Sequence, residues 1–174
     1  MKFTATVPAV RSDGPAFAET GIAMTAGAKL VSRADAITAY SVLRLGFGFA
    51  IFMHGLARFL GGINSYALPT IASFHKVPLL PHALVVLAVY AIPCVEIALG
   101  ALILLGLFTR IGLLGTFALL IVLLFGTSMQ QSWVTLAFQL IYVLMVSILL
   151  LGAGLNSLSL DALLEHSKRA ARVR

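Results

Sequence analysis

Four long apolar runs follow one another along the chain and predict helices that cross a membrane. They cover residues 37–59, 82–107, 111–129 and 133–151, and each approaches or exceeds the roughly 20 mostly apolar residues that a span needs. The last two runs contain no charged residue, so a helix buried in a soluble protein is a poor alternative there. The pattern predicts an all-α fold, an integral membrane four-helix bundle.

The segments between the runs predict how the helices follow one another. Residues 61–81 form a longer connection, and its two late prolines, Pro78 and Pro81, are expected to stop any helix until His82. The turns at Thr109-Arg110 and at residues 130–132 are short. Short connections make neighbouring helices antiparallel.

The two ends of the chain differ from its middle. Pro, Gly and charged residues interrupt residues 1–36, which we interpret as a cytoplasmic N-terminal extension with a short interfacial helix near residues 17–24. Residues 37–165 form the membrane domain. Residues 166–174 are a basic C-terminal tail. We interpret the end of the chain, from residue 159 on, as an interfacial helix that includes this tail.

Lysine and arginine positions predict the orientation of the bundle. Nine of them lie before the first run, in the second connection or in the C-terminal tail, whereas only Arg58 and Lys76 lie on the opposite side. Since basic residues concentrate on the cytoplasmic side, both termini are predicted to be cytoplasmic. The net charge of +6 sits mainly at the chain ends, which favours anionic lipid headgroups as partners over nucleic acid.

Composition narrows the function classes further. The chain has 174 residues, 60% of them hydrophobic and 10% charged, which leaves no room for a separate soluble catalytic domain. Its single cysteine, Cys94, excludes an intramolecular disulfide and C-x-x-C chemistry. The sequence carries no metal, haem or flavin motif, so we expect this chain not to supply an electron-donor site by itself.

Polar residues inside the apolar runs are the candidates for chemistry, because charge in hydrocarbon is costly. Arg44, His54 and Arg58 share one face of the first run, and Glu96 lies near the middle of the second. We predict that Arg44 and Glu96 form a pair. That pair is either a structural clasp alone or a clasp that also lines a ligand site.

Glycines near these residues, and polar groups elsewhere, add to the prediction. Gly48 and Gly55 in the first run, and Gly100 in the second, permit close approach of a helix or a flat ligand. His54 is either a hydrogen-bonded core histidine or a ligand contact. Gln139 and Tyr142 in the fourth run are predicted to donate interhelical hydrogen bonds, with contact to a carbonyl-bearing ligand as the alternative.

Several short motifs in order resemble the DoxX/DoxD family of membrane proteins. They occur over about residues 38–165, with four apolar runs of matching order. The motifs are Gly55-Leu56-Ala57-Arg58, Phe74-His75-Lys76-Val77-Pro78, Glu96-Ile97-Ala98-Leu99-Gly100, Leu105-Gly106-Leu107-Phe108-Thr109-Arg110 and the ending at residues 154–164. The resemblance implies a four-helix protein of the bacterial inner membrane. The best described members are subunits of thiosulfate:quinone oxidoreductase, and others are associated with oxidative-stress complexes.

Three functions follow as expectations. In the first, the chain is a redox subunit that binds a membrane quinone in a pocket between the first two spans. His54 and Glu96 then act as catalytic proton donor and relay, and the ligand is held by Arg44, Gly55, Arg58 and Gly100. The alternative is a non-catalytic anchor or assembly subunit of a larger membrane complex. A carrier built around Glu96 is the third, and the missing internal repeat counts against it.

Overall fold

The structure is a computed structural model that describes residues 32–75, 77, 79–164 and 167. Its described part is helical, without strands, which confirms the all-α prediction. The elements are α1 Arg33–Leu60, α2 Ile63–Phe74, α3 His82–Leu105, α4 Thr109–Met129, α5 Trp133–Leu151 and a 3₁₀ turn at Ala153–Leu155. By length and composition α1, α3, α4 and α5 are the four candidate membrane spans.

The first helix begins four residues before the predicted start because Ser32 and Asp35 form a capping box. The Ser32 hydroxyl oxygen accepts a hydrogen bond from the Asp35 amide (3.1 Å), and the Asp35 carboxylate accepts one from the Ser32 amide (3.3 Å). This reciprocal arrangement satisfies two of the amides that a helix start leaves unpaired. The S-x-x-D signal was present in the sequence, just outside the apolar run.

Helix α2 corrects the prediction that residues 61–81 stay non-helical until His82. It lies inside that connection and carries Pro69 within it. Its Ala67 is fully buried with Val85 and Val89 of α3, and Tyr66 and Phe74 pack against the same cluster. Burial against α3 therefore outweighs the loss of one helical hydrogen bond at the proline.

Helix α3 ends at Leu105, two residues before the predicted end, in a Schellman turn. Gly106 adopts a left-handed conformation with φ 64°. Its amide donates to the carbonyl of Ile103, and the amide of Leu107 donates to that of Leu102. Only glycine adopts this conformation without strain. The turn returns the chain directly into α4.

The four spans meet in one apolar core. Tyr40, Phe47 and Ile51 of α1 face buried residues from the other three spans: Ile103, Leu113, Leu120, Val146 and Leu149. Most large apolar side chains of these helices point outward instead. In a membrane those outward faces contact lipid.

Most of both predicted end segments falls outside the described residues. This applies to the interfacial helix predicted near residues 17–24 and to nearly all of the basic tail at 166–174. Residues 160–164 are helical, and Ser159 begins this turn by accepting a hydrogen bond from the amide of Ala162.

Candidate functional site

Helices α1 and α3 approach each other closely through the predicted glycines. A Cβ placed on Gly55 would lie 2.5 Å from the carbonyl oxygen of Pro93, and one placed on Gly100 would lie 2.4 Å from a backbone nitrogen of α1. A Cβ on Gly48 would lie 2.9 Å from the backbone nitrogen of Leu104. These contacts fill the α1–α3 interface with protein, so at these glycines no room remains for a flat ligand between the two helices.

Glu96 forms an ion pair with Arg58 beside this interface. The Arg58 guanidinium donates to Oε2 of Glu96, and the Glu96 side chain is only 4% exposed, against 20% for Arg58. The guanidinium also lies over the Tyr66 ring of α2, 4.4 Å from its centroid, in the geometry of a cation–π contact. The short helix α2 thus covers the arginine of a largely buried pair.

The prediction from the sequence that Arg44 pairs with Glu96 is therefore wrong. Arg44 is 3% exposed and donates to the carbonyls of Ile103 (2.8 Å) and Leu104 (3.1 Å), with a third bond to that of Leu158 (2.8 Å). The last carbonyls of a helix lack partners in their own helix and carry its negative dipole end. The carbonyls at the end of α3 thus bind the Arg44 guanidinium in place of the Glu96 carboxylate that we expected.

His54 points to another helix. Its Nε2 lies 3.3 Å from the Tyr142 hydroxyl of α5, within hydrogen-bond distance, and the two rings meet edge to face at 5.8 Å. Phe47 contacts the other side of this group, with its ring centroid 6.1 Å from that of Tyr142. His54 itself remains exposed at the surface of the bundle. An imidazole and a phenol thus stand side by side where a membrane-soluble ligand has access.

Both residues that were predicted as interhelical donors in the fourth span make interhelical hydrogen bonds, but Gln139 does so as an acceptor. Tyr142 reaches His54 as described, and Gln139 accepts a hydrogen bond from the Thr127 hydroxyl of α4 (2.8 Å). Such bonds tie helices together in lipid.

Asp161 is the most connected polar residue that our sequence analysis did not single out. Its carboxylate accepts hydrogen bonds from the amides of Phe108 (2.8 Å) and Thr109 (3.0 Å), and from the Thr109 hydroxyl (3.0 Å). It thereby caps the start of α4 from the C-terminal segment. The available signal was a lone acidic residue in the otherwise apolar stretch at 158–164.

The same hydrogen bonds affect the pKa of the Asp161 carboxyl. Partial burial raises the pKa of its carboxyl, but the two amides, the Thr109 hydroxyl and the positive charge of Arg44 together lower the pKa by more. The net pKa lies below the ordinary value of 3.8. Asp161 is therefore an anion at neutral pH.

The predicted site residues separate into three places, one of which is the contact of His54 with Tyr142 described above. Gly55, Arg58 and Glu96 lie together where α1 meets α3, and Gly100 packs one turn further along. Arg44 lies at the α3–α4 turn, among the carbonyls of that end. Within the described ranges, no group of three or more His, Cys, Asp or Glu side chains could hold a metal ion.

Comparison with known protein families matches residues 39–129 to the DoxX family, which is more than half of the chain. The match covers α1 from Ala39 on, together with α2, α3 and α4, and it includes the Arg58–Glu96 pair and the α3–α4 turn. Comparisons with curated proteins and with solved structures gave no match. The chain is a multi-pass membrane protein that belongs to the DoxX family.

Proposed function

We propose that this protein is the membrane subunit of a redox system and that it binds a quinone headgroup at the exposed His54–Tyr142 pair. The DoxX family, with members in quinone-linked complexes, supports the redox assignment. The single observation that carries the binding site is the imidazole next to the phenol on the lipid-accessible surface. This position replaces the pocket first expected between α1 and α3, which the glycine contacts fill.

The chemistry of a quinone fits these two groups. A quinone headgroup offers carbonyl oxygens, which accept hydrogen bonds, and both a phenol and an imidazole N–H donate them. When a partner subunit delivers two electrons, the reduced headgroup takes up two protons. Imidazole is the side chain that exchanges protons near neutral pH, so His54 is the proposed proton donor.

Glu96 and Arg58 have a supporting role in this proposal. Arg58 lies one helical turn after His54 on α1 and pairs with Glu96, so the ion pair borders the proposed site. Glu96 is the proposed relay that restores the proton of His54, and Arg58 holds it in place. The electrons come from a partner protein.

The test is the amount of quinone bound per folded protein after gentle extraction. We expect His54→Ala to lower it by about fivefold or more and Tyr142→Phe by a few-fold, since one hydrogen bond contributes about 1 kcal/mol. Glu96→Gln should leave binding close to wild type and change its pH dependence. Ser147→Ala is the matched control on α5, because the hydrogen bond of the Ser147 hydroxyl stays within its own helix and ends at the carbonyl of Val143.

A non-catalytic anchor subunit is the second candidate, and one observation favours it. Arg44, Arg58 and Glu96 all have protein partners, as expected of groups that only hold helices together. In that case His54→Ala lowers stability but leaves ligand content unchanged. Equal quinone content in all variants, or none in the wild type, would select the anchor.

We further propose a bacterial inner membrane location and protein partners within a larger complex. The family membership supports both. Fractionation of membranes and co-purification from gently solubilised cells test them, and recovery of the chain in another membrane fraction would contradict the location.

A further inference from the structure

A crevice of about 610 Å³ opens at the end of the bundle where α3 turns into α4. The α3–α4 turn forms one wall and the segment after α5 forms the other. Its lining mixes charged, amide and apolar groups: Phe108, Thr109, Arg110, Ile111, Ala153, Gly154, Asn156, Ser157, Asp161 and Ala162. None of these residues belongs to the site proposed above for a quinone.

The position of the crevice along the spans indicates the kind of ligand. Helix α3 ends at Leu105, α4 begins at Thr109 and α5 ends at Leu151. The crevice therefore lies where three candidate spans end, which is the level of lipid headgroups in a bilayer. Ile111 and Leu151 next to it are strongly exposed apolar residues, and lipid chains would cover them.

The charges of the crevice indicate the sign of the ligand. The Asp161 carboxylate already accepts hydrogen bonds at the start of α4 and lies near the positive charge of Arg44, so this anion has partners of its own. Arg110 is exposed on the crevice wall, and among the described residues it has neither a hydrogen bond nor an ion pair. Arg110 thus contributes a positive charge that no described carboxylate pairs.

A hydrogen-bond chain makes the opposite wall rigid. The amide nitrogen of Asn156 donates to the Thr109 hydroxyl (2.9 Å), which donates in turn to Asp161. This direction fixes the Asn156 amide and leaves its Oδ1 without a donor in the described part of the chain. This oxygen is buried, and a hydroxyl group that reaches into the wall is the class of donor that it lacks.

We propose that this crevice binds the headgroup of an anionic glycerophospholipid that carries hydroxyl groups. Arg110 binds the phosphodiester, as arginine does with phosphate oxygens. A headgroup hydroxyl lies against the Asn156 wall, and the acyl chains run along the apolar surface beside Ile111 and Leu151. The inference is independent of the quinone site.

Two variants test this proposal by different physical means. Arg110→Gln removes the charge. Gly154→Met leaves every charge in place but fills the crevice, and a Cβ at Gly154 meets no atom within 4 Å, so the substitution fits without a backbone clash. Arg172→Gln is the matched control, since it removes the same charge from the basic C-terminal tail.

The measurement is native mass spectrometry of the full chain, taken from nanodiscs that contain phosphatidylglycerol and phosphatidylcholine in graded ratios. We expect retained phosphatidylglycerol in the wild type, and about a fivefold weaker occupancy in Arg110→Gln. Gly154→Met should lose at least as much, while Arg172→Gln stays within twofold of the wild type.

Three results would overturn the proposal. Equal losses in Arg110→Gln and Arg172→Gln would mean general charge attraction to the membrane. Wild-type occupancy in Gly154→Met would place the lipid elsewhere. Displacement of the lipid by millimolar inorganic phosphate would identify a site for a free anion. Thermal unfolding of each variant confirms that it is folded, and an unfolded Gly154→Met is replaced by Gly154→Ser.

Discussion

At the scale of single residues, Arg44 and Arg58 of α1 are stabilised in two different ways. Arg58 uses a carboxylate and the face of Tyr66, whereas Arg44 uses the carbonyls at the end of α3 and that of Leu158. Both solutions satisfy a cation in an apolar environment, but only the first depends on a second titratable residue. The two arginines should therefore respond differently to changes at Glu96.

The first prediction concerns the Arg58–Glu96 pair. Glu96→Ala leaves Arg58 without its counterion. Because the arginine is partly exposed, we expect a loss between about 1 kcal/mol, as for an exposed pair, and about 3–5 kcal/mol, as for a buried one. The double variant Arg58→Met/Glu96→Leu should lose less than the single one. Unfolding by SDS in mixed micelles measures both.

The control for this prediction is the pair that the sequence favoured. A double-mutant cycle of Arg44 with Glu96 should show a coupling energy within about 0.5 kcal/mol of zero, as for separated sites. Strong coupling there, with none between Arg58 and Glu96, would show that the assigned partners are incorrect.

The second prediction concerns acid stability through Asp161. Its pKa in the folded protein lies below 3.8, so its charged form stabilises the fold above that value, and this contribution is lost as the pH falls through the lower, folded pKa. Loss of the cap should cost about 0.5–2 kcal/mol. Asp161→Asn should therefore unfold more easily at pH 7 and show a flatter pH dependence below about pH 4.

Circular dichroism during acid titration in detergent checks this expectation. Asp35 offers a matched control, because it is exposed and caps α1 rather than α4. If the wild type and Asp161→Asn lost helix in parallel below about pH 4, the capping role at the α3–α4 turn would be contradicted.

At the scale of helices, the sequence predicted the elements better than their register. The bounds of α5 agree with its apolar run, and α4 begins two residues before its run. The partner of Glu96 was missed because hydropathy does not specify how far two apolar helices slide along each other. Contacts of Gly48 with Leu104, and of Gly55 with Glu96, set that register. These contacts place the Arg44 side chain at the last turn of α3 rather than at the middle of that helix, where Glu96 lies.

Helix α2 shows a different limit of sequence reasoning. Pro78 and Pro81 indicated an irregular connection, and the low helix propensity of Pro69 within it supports the same interpretation. The helix forms because Ala67 and its apolar neighbours are buried against α3. The contact of Tyr66 with Arg58 depends on this burial. The sequence therefore could not predict that α2 covers the Arg58–Glu96 ion pair.

The third prediction belongs to the α1–α3 interface. Gly100→Ala places a methyl group against the backbone of Phe52, so the helices must separate, and we expect a loss of about 1–3 kcal/mol from overpacking. Gly46→Ala on the same pair of helices is the control, because its Cβ would meet nothing within 4 Å. It should be neutral or stabilising by up to about 1 kcal/mol.

SDS unfolding of both variants distinguishes packing from helix propensity. A Gly100→Ala protein as stable as Gly46→Ala would mean that the two helices do not approach closely at this point. Loss of quinone in Gly100→Ala at equal folded fraction would additionally link the interface to the proposed site.

At the scale of the whole molecule, the four candidate spans of the described residues place the start of α1 and the end of α5 on the same side of the membrane. The excess of Lys and Arg at the chain ends predicts that this side is the cytoplasm. The fourth prediction is that single cysteines at positions 5 and 170, in a Cys94→Ser background, stay unlabelled by an impermeant reagent added outside. Labelling of either position in intact cells would contradict this orientation.

A single cysteine at position 79, in the α2–α3 connection, tests the opposite side of the membrane in the same experiment. Leu79 is exposed and lies between the first two spans, so it should be labelled from outside. Labelling from outside at positions 5 and 170, but not at position 79, would mean that the same fold has the inverted orientation.

The contacts of Arg44 also have a consequence for biosynthesis. Its guanidinium lies in the first span to emerge from the ribosome, yet its bonds reach carbonyls 59 and 114 residues later in the chain. At about 5–20 residues per second, Leu158 follows Arg44 by roughly 6–23 s. During that interval the first span carries a cation with none of its final partners and depends on the insertion machinery. Chains that end before residue 158 should therefore be preferred substrates for membrane proteases.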